Sequence, residues 1–155
     1  MKITEKHLLK IITKDFNNNN AMIIPLENSA LDGTPDAIAF NNQNSFFIEL
    51  KAPNTTLKKN NVPFKNNHFL NNAQIIFSQN LKSQNIPIFC TFQIQNVKFA
   101  FNYSNLNVYQ IKNLKNLNIE QWIKFAYNDE NNNWHAFLSA CHQKELNQLS
   151  RSLQC

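Results

Sequence analysis

Ser45-Phe46-Phe47-Ile48-Glu49-Leu50-Lys51-Ala52-Pro53 is the stretch that decides how this chain folds. An apolar run ends in an acid and a base one residue apart, and Pro53 stops it. Side chains alternate faces along a strand, so Glu49 and Lys51 point one way while Phe46, Ile48 and Leu50 point the other. The apolar set predicts a helix packed on that face. Two charges at the end of an apolar strand are costly unless they are paired or bound to something. The same residues therefore predict a strand and a site.

Working upstream, the only glycine of the chain opens Gly33-Thr34-Pro35-Asp36, a turn that ends in a carboxylate. Residues 36–40 read as a strand and 41–44 as a hairpin loop, which brings Asp36 back toward Glu49. Residues 21–26 read as an earlier strand, with Pro25 marking an edge position or a strand end. Thr4 can cap a first helix in which Leu8, Leu9, Ile11, Ile12 and Phe16 follow the helical period, and Asn17 to Asn20 close it. Downstream, 54–67 is polar, carries Lys58, Lys59 and Lys65, and reads as a loop. Residues 71–84 suit a helix burying Ala73, Ile76, Phe77 and Leu81, and 86–92 is a strongly apolar strand. Strand, helix and strand in that order predict a parallel pair within a mixed sheet. Residues 97–101 and 108–111 read as short strands, and 119–127 and 134–149 as two closing helices.

At 155 residues, with 43% hydrophobic residues and 13 Phe, the chain is long enough for one well-packed domain. We expect a core over about 4–111 and a helical C-terminal segment over 112–155. Asn makes up about a fifth of the residues and reads as loop filler between elements. Net charge is +5, carried by 14 Lys and the single Arg151, which fits a polyanionic partner such as nucleic acid. Cys90, Cys141 and Cys155 are scattered, without the paired spacing of a zinc ribbon or a disulfide framework. Cys90 reads as a small buried hydrophobe. A reduced, cytoplasmic setting is expected, and neither a membrane span nor a signal peptide is read from the sequence.

Asp36 and Glu49, brought together by the hairpin, make a hard-oxygen site of the kind Mg²⁺ uses, with waters and a substrate phosphate completing the shell. A cation there supplies polarisation of the phosphate and a water of lowered pKa. Lys51 is placed to orient the attacking water or to meet charge on the phosphate oxygens. The Leu50 backbone carbonyl is a further candidate ligand.

With those residues in hand, the chain resembles the PD-(D/E)xK nuclease superfamily, and within it most resembles the VRR-NUC type. Holliday-junction resolvases and restriction enzymes are relatives of that group. The resemblance rests on Gly33-Thr34-Pro35-Asp36 followed by Phe47-Ile48-Glu49-Leu50-Lys51-Ala52-Pro53, and spans roughly residues 4–92. Gln74 matches the Gln that this family carries at the start of the next helix, and Glu5 is the best match for its first-helix Glu, with Glu27 competing. The resemblance implies an α/β, restriction-endonuclease-like fold, a mixed sheet flanked by helices in a single domain. It implies an endonuclease that hydrolyses DNA with Mg²⁺ or Mn²⁺, in replication, repair, recombination or restriction. Asp36, Glu49, Lys51 and Gln74 would be catalytic; Asp36, Glu49, the Leu50 carbonyl and Glu5 would face the metal. Lys58, Lys59 and Lys65 would contact DNA, and a homodimer is compatible with cutting two strands. The segment 54–67 is longer than in compact members.

Plainer readings stand beside these. Gly33 to Asp36 taken alone is an ordinary turn, and Glu49 with Lys51 alone is a strand end with a weak ion pair. Gln74 is equally at home as an exposed amide at a helix start, and Glu5 as a first-turn acid favoured by the helix dipole. His7, His68, His135 and His142 lack ligand spacing, and Trp122 and Trp134 read as core anchors. The rival from another class is a non-catalytic DNA-binding or interaction module on the same fold. The intact set of Asp36, Glu49 and Lys51 argues against it.

Overall fold

The computed structural model describes residues 2–26, 31–42, 44–64 and 69–153. Helix α1, Glu5–Asn17, starts where Thr4 Oγ1 accepts the His7 N–H (3.1 Å) and buries Leu8, Ile12 and Phe16. Strands β1 (Met22–Pro25), β2 (Ala37–Asn41) and β3 (Asn44–Leu50) form an antiparallel meander. Helix α2 (Asn72–Leu81) then carries the chain across the sheet, so that β4 (Ile88–Ile94) lies parallel to β3. Strand β5 (Val97–Asn102) returns antiparallel to β4, and β6 (Tyr127–Asp129) pairs with β5 after the short helices α3 (Val108–Leu114) and α4 (Ile119–Phe125). Helix α5, Trp134–Leu153, closes the described chain. The sheet order is β1-β2-β3-β4-β5-β6, a mixed sheet with β1 at an edge and Pro25 at its end.

Each face of the sheet carries its own core. Phe46, Ile48, Leu50, Ala37, Ala39 and Phe89 pack against α1 and the start of α5. Ile88, Cys90, Phe92, Phe99 and Phe101 pack on the opposite face against Ile75 of α2, Ile111 of α3 and Trp122 of α4. The alternation read in the β3 sequence thus holds, and Cys90, Trp122 and Trp134 are buried as expected. No helix among the described residues is long and apolar enough to cross a membrane.

Four sequence expectations change. Residues 108–111 form the start of helix α3 rather than a strand, because Asn107 caps the helix and Gln110 reaches back to the Asn107 N–H. Over four residues the apolar spacing of Val108 and Ile111 suits a helix as well as a strand, and the cap decides. Tyr127, expected to end a helix, begins β6, so the segment from 112 onward is no separate helical extension: it supplies a strand of the sheet and α5 on its core. Ile76 is 61% exposed while Ile75 turns inward, since the start of α2 at Asn72 sets a phase that faces Gln74, Ile75 and Ser78 to the sheet.

The asparagines are also more than filler. Asn71, Asn107 and Asn118 each cap a helix in a reciprocal box with a Gln three residues on. Asn20, Asn42 and Asn85 adopt positive φ, positions where glycine is the usual choice and this chain has almost none.

Candidate metal centre

The register of β2 on β3 ends with Ala37 opposite Ile48; continued one step it would set Asp36 opposite Glu49, and the two carboxyl groups lie within hydrogen-bonding reach. Directly opposed residues of an antiparallel pair project to the same face. Asp36 also ends the ladder: its Oδ2 accepts the Leu50 N–H at 2.7 Å, and its carbonyl accepts the Leu26 N–H at 2.9 Å. Those two bonds fix the carboxylate at the open end of β2 and β3. On the other flank Lys51 donates its backbone N–H to the Thr91 carbonyl (3.0 Å), so β4 holds the end of β3 as well.

Helix α2 brings the third participant. Gln74 Nε2 donates to Glu49 Oε1 at 2.6 Å, while Gln74 Oε1 lies 2.9 Å from the Asn71 N–H and 3.4 Å from Lys51 Nζ. Lys51 Nζ is also 3.4 Å from Glu49 Oε1. One amide therefore caps its own helix and ties that helix to both charged residues of β3. Gln74 is thus a helix-start amide whose side chain reaches Glu49 and Lys51 instead of solvent.

Gly33 makes this docking possible. Its φ of +80° lies in the left-handed region, and a methyl group there would collide with the Ala73 carbonyl and come within 2.7 Å of the Gln74 nitrogen. The loop before Asp36 packs directly on the first turn of α2, so the turn that delivers Asp36 also positions Gln74.

The electrostatics are those of too many acids in too little solvent. Glu49 is 3% exposed, and its pKa is pushed from 4.5 to about 8, first by burial and then by Asp36, with Lys51 opposing and Glu5 adding. Asp36 is raised by burial, against the Leu50 N–H, Lys51 and a proton shared with Glu49. Glu5, on the first turn of α1, is raised by partial desolvation and by Asp36, and lowered by Lys51. When both carboxylates are ionised neither can donate to the other, and Glu49 Oε2 has no hydrogen-bond partner. It is the one carboxylate oxygen among the buried, described side-chain atoms left in that condition. An unpaired buried anion is strongly unfavourable, and either a proton or a bound cation relieves it.

That orphaned oxygen fits a divalent metal. Among the described residues no three His, Cys, Asp or Glu side chains form a ready-made ligand cage. Mg²⁺ does not require one, since it keeps several waters and is commonly held by one or two carboxylates plus substrate phosphate. The structure thus brings together Asp36, Glu49, Lys51 and Gln74, with Leu50 between the two charged residues and Glu5 within electrostatic reach.

Other expected residues stand differently. Lys58 and Lys59 are exposed on a segment held to α4, where Lys59 O accepts the Glu120 N–H (3.3 Å) and Asn61 O the Ile119 N–H (2.9 Å). No hydrogen bond or ion pair among the described residues joins either lysine to the centre. Lys65, His68, Glu27 and Cys155 lie outside the described residues. Sequence reasoning missed that the described part of this segment, 54–64, is packed in place: Phe64 is buried against Phe92 and Trp122, and that lone aromatic was the available signal. No protein-family model matches the chain, and no curated protein matches it at a significant level.

Proposed function

We propose that this protein is a Mg²⁺- or Mn²⁺-dependent endonuclease that hydrolyses phosphodiester bonds in DNA, with a restriction-endonuclease-like fold and a PD-(D/E)xK centre. The observation that carries the reading is the convergence of Asp36 and Glu49 on one face, with Glu49 Oε2 buried and unpartnered. The element order, with a helix, a three-stranded meander, a crossover helix and a parallel fourth strand, supports the fold assignment.

Asp36 and Glu49 would hold the metal, with the Leu50 carbonyl as a third protein oxygen and Glu5 in support. Bound there, the metal supplies Lewis-acid polarisation of the scissile phosphate and a water of lowered pKa. Gln74 acts on Glu49: by donating to Oε1 it fixes the carboxylate plane and leaves Oε2 for the cation. Lys51, held on the same face by Glu49 and Gln74, would meet the negative charge that builds on the phosphate oxygens. Burial of the acids keeps their field little screened.

The test is cleavage of duplex, flap, four-way-junction and single-stranded DNA, with RNA beside them, in Mg²⁺ or Mn²⁺. Wild type is expected to cut at least one DNA substrate, and Asp36→Asn and Lys51→Ala to lose that activity. A wild type that cuts nothing, or variants that cut as well as wild type, would overturn the proposal. DNA binding without cleavage under any metal would favour the non-catalytic module instead.

A further inference from the structure

Helix α1 carries a lysine at every fourth position, Lys6, Lys10 and Lys14. Four residues advance a helix by about 6 Å, so the three ammonium groups form a ladder along one side. Like charges at this spacing oppose each other and weaken a helix, unless acids intervene. Here none does. Asp15 is engaged elsewhere, its Oδ2 accepting the Trp134 N–H at 2.9 Å, and Glu5 precedes the ladder, within electrostatic reach of Lys51 and Asp36. The ladder has no ion pair among the described residues.

The three lysines line a groove of about 500 Å³ between α1 and the edge strand β1, together with Leu9, Thr13 and Pro25, and among the described residues no carboxylate lines it. Its position matters more than its size. Helix α1 runs away from the metal centre, starting at Glu5, and β1 runs back toward it. Pro25 pairs with Ala37, and the next residue, Leu26, donates its N–H to the Asp36 carbonyl at 2.9 Å. The Pro25 end of the groove therefore lies one residue in register from Asp36, at the open end of the sheet, where the Asp36 carboxylate projects to the other face and Glu5 at the start of α1 lies within electrostatic reach of it.

We propose that this groove is a track for a nucleic-acid backbone, in which Lys6, Lys10 and Lys14 meet successive phosphates of the strand that passes over Asp36 and Glu49. The inference rests on reading that pair as a phosphodiesterase centre. Charge complementarity selects the occupant: a regular row of unpaired cations beside Leu9 and Pro25 matches a polyanion with regularly spaced charges. The contacts are to phosphates, so they position the strand and carry no base preference. Lys58 and Lys59, the expected DNA contacts, have no comparable connection to the centre. The i, i+4, i+8 spacing was visible in the sequence from the start.

The test compares a triple Lys6→Gln, Lys10→Gln, Lys14→Gln variant with a control of equal charge change at exposed lysines elsewhere, Lys82→Gln, Lys124→Gln, Lys144→Gln. Binding of fluorescein-labelled duplex DNA, and of the matching RNA duplex, is followed by anisotropy across a salt series in Ca²⁺. Loss of three phosphate contacts lowers the slope of log K against log salt by about 2.7 for DNA. The α1 variant is expected to show that drop and at least a tenfold loss of affinity, with the control close to wild type. Thermal stability of the α1 variant is expected to match or exceed wild type, since like-charge repulsion is removed. The DNA and RNA arms show which nucleic acid the track takes. Equal losses in both variants, unchanged binding in the α1 variant, or binding of the ladder to phosphatidylserine vesicles but to neither duplex would overturn the track. Hydrolysis of bis(p-nitrophenyl) phosphate with Mn²⁺ reads the metal centre separately. If that activity survives and binding does not move, the track fails alone; if it is absent in wild type while the α1 variant loses DNA binding, the nuclease reading fails and the track stands.

Discussion

Replacing Glu49 by Gln should stabilise the metal-free protein, an outcome that a structural salt bridge would not give. The folded-state pKa of Glu49 is about 8 against an ordinary 4.5, so the folded protein binds this proton more tightly than the unfolded chain. By linkage its contribution is fully favourable below about pH 4.5 and is lost as pH rises through 8. At pH 7.5, three units above the ordinary value, that loss is about 4 kcal/mol. Glu49 shares its proton with neighbouring acids, so about half, roughly 2 kcal/mol, is expected to return on substitution. Gln keeps an oxygen to accept from Gln74 Nε2, so the hydrogen bond to α2 survives. For a chain of this size the gain is about 4–8 °C in Tm at pH 7.5, with almost none at pH 5. Thermal unfolding followed by circular dichroism in EDTA reads the difference between variant and wild type at both pH values. Adding Mn²⁺ should then raise the Tm of wild type and leave Glu49→Gln nearly unmoved, since metal stabilises only the state that binds it. A difference that does not change with pH, or an equal Mn²⁺ effect on both proteins, would refute the electrostatic account of the site.

Gly33→Ala should lower stability by about 2 kcal/mol or more, from the left-handed backbone and the collision with Ala73, read as a lower urea midpoint with unchanged slope. Asn71→Ala should cost about 1 kcal/mol as a lost cap and leave most cleavage intact. Gln74→Ala should add a loss of at least tenfold in kcat, because it also frees Glu49; equal activity in these two variants would reduce Gln74 to a cap. Lys51→Ala should lower kcat by about 10²–10³ with a smaller change in KM, measured on whichever substrate wild type cuts best.

Much of this was legible because the signals were local and redundant. Apolar alternation over 46–50, the stop at Pro53 and the strong apolar run after the next helix placed β3, α2 and β4 without ambiguity. Asp36 was legible for the same reason, since a two-strand hairpin fixes which residue faces Glu49. What escaped were elements whose stability comes from outside their own residues. Strand β6 is three residues long and exists by pairing with β5. Helix α3 is seven residues long, and its start is written in Asn107 and Gln110 rather than in its apolar spacing. The same Asn-x-x-Gln pattern opens α2 and α4, so a signal present three times was passed over because Asn was read as composition. The packing of Gly33 on α2 could not be read at all, because it joins residues about 40 positions apart through backbone contact.

Composition, set aside at first, ends up sharpening the case for a cation. This chain places amides almost wherever a polar group is needed, for caps, for left-handed turns and for loops, and holds only 10 acidic residues in 155. Three of those ten, Glu5, Asp36 and Glu49, lie within electrostatic reach of one another, and the most buried has an oxygen without a partner. Gln at 49 would fill the same space, accept the same bond from Gln74 and avoid the repulsion from Asp36. A fold selected for stability alone would take it. Keeping the acid there accords with the proposed cation site, in which a divalent cation beside Lys51 would make use of the negative charge.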